Sequence, residues 1–575
     1  MKTMTSILMT VTSLGIALAG CDASTADREA QAASAEGSSS TPGPAIRPEV
    51  GGLRGAVVAG HPLAVQAGLA RLQAGGNAVD AAVTMAGILA VVRPHMNGVG
   101  GDAFGLFYEG DTRRVTALNA SGRAAAGATP ALFAAQGIER MPGRGALSVT
   151  VPGAVSAWHA ALERYGTITL AEALAPAIAI AEGGFMASET LAEDLEAAAR
   201  LNDGGRRIYE PGGTPVAEGD LLKSPELART LRRLVTEGPA ALYGGALGAS
   251  LADFLESLGS PLRLSDFAAH RPEWTEPVST TFRGRHVHTP PPNGSGIALL
   301  QMLAMAETLP LESYEPNSAD LLHRLVEIKK LAFADRARWI ADPAVADVPI
   351  ERLLDPEYLR GRAALIPERA ASSQPPGFGP ELAAEDDDGE GDTVYLAAVD
   401  QWGNAVSWIQ SLFATFGSGL VDPATGIVLQ NRGSGFTLEE GHPNLIAPGK
   451  RPFHTLMPVM LTDAEGDYEM SVGTPGGDVQ PQAVTQALVQ MLVFGMSPQR
   501  AVEAPRFASG SGLGLRVEDR VPPHVRAALR ALGHEVDAVE GWTAPFGNLQ
   551  AIWRLPSGIL RTGADMRREG ASAAY

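Results

Sequence analysis

With 575 residues, 45% of them hydrophobic and 19% charged, the chain is long enough for a large core, and its balance is that of a globular protein rather than a disordered or fibrous one. A formal net charge of −19 argues against a polyanionic partner such as nucleic acid. The single cysteine excludes an intrachain disulfide framework, so the folded part must be held by packing and polar contacts alone.

The first residues read as an export segment. Lys2 precedes a short apolar run from about Ile7 to Leu18, followed by Leu18-Ala19-Gly20-Cys21. The run is too short to span a bilayer as a helix, which favours a cleaved signal over a membrane anchor. It resembles a bacterial lipoprotein signal (residues 1–21) with its lipobox. That resemblance implies lipidation of Cys21 and a body anchored on the periplasmic or extracellular side of the cell envelope. A signal peptide cut elsewhere, with an incidental cysteine, is the alternative. From residue 22 to 50 Ala, Ser, Thr, Gly and Pro dominate, so little apolar surface can be buried and a flexible tether is expected.

In the body that follows, helices are expected over Pro62–Gln73 and Asn77–Val92, both rich in alanine with apolar residues at helical spacing. The second leads through Asn97-Gly98-Val99-Gly100-Gly101-Asp102 into the strand AFGLFY. A dinucleotide-binding loop has the reverse order, strand before glycines before helix, so a tight turn is expected instead. Residues 150–260 read as helices with Gly/Pro breaks, Glu276–His288 as strand, and Ile297–Leu309 and Ser318–Ala341 as helices. The last carries His323 and Glu327 at i and i+4, a spacing that can serve a metal. No third ligand stands at a suitable spacing, and no metal is expected.

Between Ala371 and Asp392 apolar content collapses and Pro, Gly and acids take over, including the run Glu385–Asp388, so a solvated loop is expected. Thr393 then opens TVYLAAV; Asp400–Asn404 (DQWGN) supplies turn chemistry, and AVSWIQS resumes as a second strand. If the Asp392–Thr393 bond breaks, Thr393 carries a hydroxyl nucleophile and a free α-amine of pKa about 7.7–8.0 that can act as its base. The loop before it would let the new end swing away. The tripeptide Gly-Asp-Thr also occurs at Gly110–Thr112, where two arginines follow and a plain turn is expected. What distinguishes the second copy is its company: TFGSG at Thr415–Gly419, a strand TGIVLQNRG, PGKRPFHTLMP at Pro448–Pro458 and GTPGG at Gly473–Gly477.

In this order, and with VPGAVSAW at Val151, PPPNGSG at Pro290, KKLAFADRARWIADP at Lys329 and DMRREGASAAY at Asp565, these segments resemble the γ-glutamyltransferase family of N-terminal-nucleophile hydrolases. The resemblance runs from about Gly55 to Tyr575. It implies an α+β fold, a four-layer αββα sandwich with two antiparallel sheets between helical layers. It also implies a precursor cut into a large chain (51–392) and a small chain (393–575), with no metal or organic cofactor. Thr393 would attack an amide carbonyl, Gly476 and Gly477 would form the oxyanion hole, and Ser411 would hydrogen-bond the nucleophile.

Departures from the family pattern bear on the substrate. The acid that holds a γ-glutamyl α-amine is replaced by Gly435, an amide neighbour by Arg432 and an asparagine by Phe413. A pair of serines on the carboxylate side is replaced by His454 and Thr455, and Arg123 falls close to the large chain's arginine. Two guanidiniums suggest an acyl group with a carboxylate and no α-amine, although a surface or interdomain salt bridge is the plain alternative for each. This pattern is more similar to the divergent branch that includes oxamate amidohydrolase. Three readings stand: a self-processing threonine amidohydrolase or acyltransferase for γ-glutamyl-type amides; the same chemistry on short dicarboxylic amides of oxamate or glutaryl type; and a non-catalytic binding lipoprotein with the same fold.

Overall fold

The central strands of this chain bury both faces, so each reads as a continuous apolar run whose alternate residues serve different layers. The computed structural model describes residues 45–196, 200–378 and 392–575. One seven-stranded sheet contains β1 (Val50–Gly52), β6 (Val278–Phe282), β7 (Arg285–Thr289), β10 (Val459–Thr462), β11 (Tyr468–Gly473), β12 (Gln550–Arg554) and β13 (Leu560–Ala564). The other contains β2 (Ala56–Ala59), β3 (Asp102–Glu109), β4 (Arg114–Asn119), β5 (Glu273–Thr275), β8 (Asp392–Val399), β9 (Ala405–Phe413) and β14 (Ala571–Ala574). Their spatial orders are β1-β13-β12-β11-β10-β7-β6 and β14-β2-β8-β9-β3-β4-β5, with every neighbouring pair antiparallel.

The layering follows from the alternation along β8. Val394, Leu396 and Ala398 join a cluster with helices α1 (Pro62–Gln73), α2 (Ala78–Val92), α3 (Ala154–Tyr165) and α4 (Leu170–Gly183). Tyr395, Ala397 and Val399 instead meet Met460, Tyr468 and Ile552 of the other sheet. That sheet's outer face packs on α5 (Gly296–Ala306), α6 (Ala319–Trp339) and α7 (Val479–Leu492). The result is the expected αββα sandwich. Helix α2, apolar all round, is buried along its whole length and starts at a capping box between Asn77 and Asp80.

The central hairpin is fixed at its turn by Asp400, whose Oδ1 accepts the N–H groups of Trp402 and Asn404 at 2.9 and 3.0 Å. Its Oδ2 accepts the Ala78 N–H at 3.0 Å, tying the turn to the start of α2. With the turn pinned, the register is set back to the other end, where Thr393 pairs with Ser411. There the ladder shifts: Asp392 faces Phe413, an irregularity between Asp392 and Thr393.

Two expectations change. The ordered body begins before Val50, because the Ile46 and Arg47 N–H groups donate to the Glu503 carboxylate at 2.6 and 2.9 Å. TGIVLQNRG is not a strand: Val428 and Leu429 make only isolated bridges to Val421 and Gly100, and Arg432–Gly435 forms a 3-10 turn. Cys21, most of the tether and the acidic run Glu385–Asp388 lie outside the described residues. Among those described, no helix is long and apolar enough to cross a membrane.

Candidate active site

Antiparallel register places three polar side chains in a row across β8, β9 and β3: Thr393 opposite Ser411, and Ser411 opposite Asp102. They have the parity of Tyr395, Ile409 and Phe104, so they face the gap between the sheets, and each is at most 1% exposed. The Thr393 hydroxyl donates to Ser411 Oγ at 2.9 Å. Ser411 in turn donates to the carbonyl oxygen of Asp392 at 2.8 Å and accepts the Phe413 N–H at 2.8 Å. Such a relay can draw the proton from Thr393 while the Ser411 O–H polarises the carbonyl of the peptide bond just before it.

The Asp392 side chain is anchored separately. The Thr415 hydroxyl donates to Oδ2, and Arg568 lies 3.4 Å from Oδ1. A narrow cleft beside Thr393 is walled by Gly60, Arg93, Met96, Pro475 and Asn548, so Thr393 and Pro475 of the GTPGG segment line one cleft. Within that segment Gly476 and Gly477 have φ of +119° and +52°, left-handed conformations that other residues rarely adopt. They precede Asp478, the N-cap of α7, at the helix end where the dipole favours negative charge.

Arg432 is 1% exposed. Its Nη1 donates to Thr455 Oγ1 at 3.2 Å, its Nη2 to Ser411 Oγ at 3.4 Å, and the guanidinium carbon sits 4.0 Å from the centre of the Phe413 ring. Phe413 itself has φ +81°. His454 is fully buried next to this group, edge-on to Phe104, with Nε2 3.4 Å from Asp102 Oδ2. Burial, and then the charge of Arg432, hold its pKa well below the usual imidazole range, so the ring is neutral. Since Nδ1 accepts the Leu456 N–H at 3.3 Å, the proton of the neutral ring is on Nε2.

Arg432, Phe413, His454 and Thr455 are thus brought together with Thr393 and Ser411. Arg123 is not: its guanidinium pairs with Glu273 at 2.8 Å and Asp342 at 3.3 Å, and donates to the Gly449 carbonyl at 3.1 Å. The salt-bridge alternative therefore describes its contacts. His323 and Glu327 do gain a third neighbour of metal-ligating type, contrary to expectation, because His534 brings a ring nitrogen within 4.8 Å of their ligand atoms. Proton-bearing groups serve that cluster: Lys330 Nζ lies 2.7 Å from Glu327, His323 Nε2 2.9 Å from the Pro367 carbonyl and His323 Nδ1 2.8 Å from His534 Nε2.

Sequence reasoning missed Asp102 and Arg568. The signal for Asp102 was its place as the last residue of the run read as a turn, Asn97–Asp102, where the strand begins. Nothing local pointed to Arg568.

Comparison with known proteins agrees with this geometry. The profile of the family described as Gamma-glutamyltranspeptidase matches residues 64–575. The glutathione hydrolase-like YwrD proenzyme of Bacillus subtilis (strain 168) is 40% identical over 532 residues, covering 91% of this chain and 98% of that protein. The oxamate amidohydrolase proenzyme of Klebsiella pneumoniae is 37% identical over 539 residues, covering 91% and 98%. Among solved structures, a cephalosporin acylase from Bacillus halodurans superposes with a TM-score of 0.86 at 37% identity, covering 94% of this chain and 99% of that one. A buried polar row of Thr393, Ser411 and Asp102 across three central strands, on an αββα sandwich matched along nearly its whole length, makes this chain a member of the γ-glutamyltranspeptidase family, with the fold of the N-terminal-nucleophile hydrolases.

Proposed function

We propose that this protein is a self-processing amidohydrolase or acyltransferase that cuts its own Asp392–Thr393 bond and then uses Thr393 as an N-terminal nucleophile on amides whose acyl group carries a carboxylate. The observation that carries this reading is the Thr393–Ser411–Asp392 relay, which joins the attacking hydroxyl to the carbonyl oxygen of the bond to be broken. In the precursor, Thr393 Oγ attacks the Asp392 carbonyl carbon and the C–N bond breaks, which moves the acyl group to oxygen and leaves the nitrogen as an amine. Water then hydrolyses that ester. In turnover the same oxygen takes the substrate's acyl group, the new amine shuttles the proton to the leaving amine, and Gly476 and Gly477 face the oxyanion.

The pocket supports a carboxylate without an α-amine. At Gly435, where an acid would neutralise an α-ammonium, an added Cβ would lie 2.7 Å from the Phe453 carbonyl oxygen, so no acidic side chain fits unless the backbone moves. Arg432 supplies a buried cation instead, bounded by Phe413 and Thr455. Short dicarboxylic amides match this better than γ-glutamyl compounds, and the relative named for oxamate supports the same direction. We also propose that Cys21 bears a lipid anchoring the body in the cell envelope, on the strength of the lipobox alone.

Intact-mass spectrometry of the purified protein tests both cleavage and lipid. Two chains meeting at Asp392/Thr393, with a lipid adduct on Cys21, are expected; a single full-length mass would sink the processing reading. Glutaryl-anilide is expected to be turned over faster than γ-glutamyl-anilide.

A further inference from the structure

Asp102 has no place in the chemistry above, yet it completes the row that begins with Thr393. It is wholly buried, and its Oδ1 accepts the N–H groups of Gly122 and Gly153 at 3.0 and 3.2 Å. Its Oδ2 has no hydrogen-bond partner among the described residues; His454 Nε2, 3.4 Å away, is close but not aligned, and is itself unbonded. Burial pushes the carboxyl up to about 7, against the opposing pull of Arg432, the two backbone N–H groups and Arg451. The charged or titratable groups around it are therefore Arg432, Arg451, neutral His454 and Tyr243, whose hydroxyl feels the Asp102 charge.

We propose that Asp102 is a specificity-determining residue: it is a second carboxylate near Arg432, reached across Ser411, which stands opposite Asp102 and accepts from Arg432 at 3.4 Å, so it competes with the substrate's own carboxylate, and an anionic acyl group binds with uptake of a proton by Asp102. This rests on the reading of Arg432 as the acyl-group anchor. Two carboxylates sharing one buried guanidinium cannot both stay ionised cheaply, so the arriving anion raises the affinity of Asp102 for a proton from solvent. Below its titration range Asp102 is neutral and takes none of the Arg432 field away from the arriving anion. Above that range the pocket is compensated in advance and the anion must wait for a proton, so KM for an anionic substrate rises with pH. Acyl groups without charge are indifferent.

The test compares glutaryl-anilide with pentanoyl-anilide, which replaces the carboxylate by a methyl group, from about pH 6 to about pH 9, around the range where such groups titrate. Protonation of the Thr393 amine affects both substrates and cancels in the ratio. In the wild type the ratio of KM values, glutaryl over pentanoyl, is expected to rise about tenfold across the window, the effect of one pKa unit of coupling. In Asp102→Asn, which keeps an oxygen for Gly122 and Gly153, the ratio should stay at its low-pH value throughout. A flat ratio in the wild type, or a rise that survives in Asp102→Asn, overturns the proposal. A purely structural role would lower activity toward both substrates without separating them. Should Asp102→Asn fail to fold, difference infrared spectroscopy of the wild type with glutarate decides: a buried protonated carboxyl is expected to appear on binding at about pH 8, and its absence overturns the proposal. Glutarate binding needs no turnover, so a defect in the nucleophile reading shows separately, as an uncut chain or as loss of activity on both anilides.

Discussion

Gly-Asp-Thr occurs at both ends of one sheet, and the two copies could hardly differ more. At the tip of the β3–β4 hairpin Asp111 and Thr112 are exposed, in a turn closed by the Arg113 N–H on the Glu109 carbonyl at 2.8 Å. At the head of β8, Asp392 and Thr393 are 6% and 1% exposed. The same peptide in water trades its hydroxyl among solvent partners, while in the sheet its hydroxyl has one fixed acceptor and its carbonyl one fixed donor. A buried hydrogen bond is electrostatically stronger because little water screens it, and the geometry is held before any reaction begins. The comparison teaches that the tripeptide supplies atoms and the setting supplies reactivity.

Thr393→Ala should break the contrast most completely. Removing the hydroxyl leaves no attacking atom, so the chain is expected to stay uncut on denaturing gels and turnover to fall by about three orders of magnitude or more. Ser411→Ala should sharpen it by a smaller amount. The carbonyl of Asp392 loses its donor and Thr393 its acceptor, and losing a buried hydrogen bond costs about 1–3 kcal/mol, which is about 5- to 150-fold in the cleavage rate measured by time-resolved electrophoresis. An unchanged rate would mean that the relay is a static contact.

The hairpin could be read from sequence because it is local. Asp400 to Asn404 fixes the turn, and counting back along two strands brings Thr393 and Ser411 together without knowledge of any other element. Side chains whose partners come from afar could not be read that way. Asp102 gains its meaning only when β3 pairs with β9, and Arg123 and Arg432, equivalent on paper, are separated by what faces them: Glu273 and Asp342 for one, Ser411 and Thr455 for the other. His534 reaches His323 through packing of the helix Pro523–Ala531 on α6, which no spacing rule anticipates. TGIVLQNRG misled because its β-branched apolar run suits a strand, whereas Gly433 is pressed against the Ser148 carbonyl and the run passes through the site as a loop.

The smallest expected effect is the most useful control. Thr112 lies one strand length from the site, since β3 runs eight residues from Asp102 to Glu109, about 24 Å at the usual rise. Its turn touches the hairpin only at the far end, where the Gly110 N–H donates to Asn404 Oδ1 at 3.0 Å. Thr112→Ala removes an exposed hydroxyl, so stability should change by no more than about 0.5 kcal/mol in denaturant titration, and self-cleavage and turnover should match the wild type. A slower cut would mean that β3 transmits the condition of its hairpin tip to Asp102 at its other end. Reactivity would then depend on the register of the whole strand as well as on the buried row.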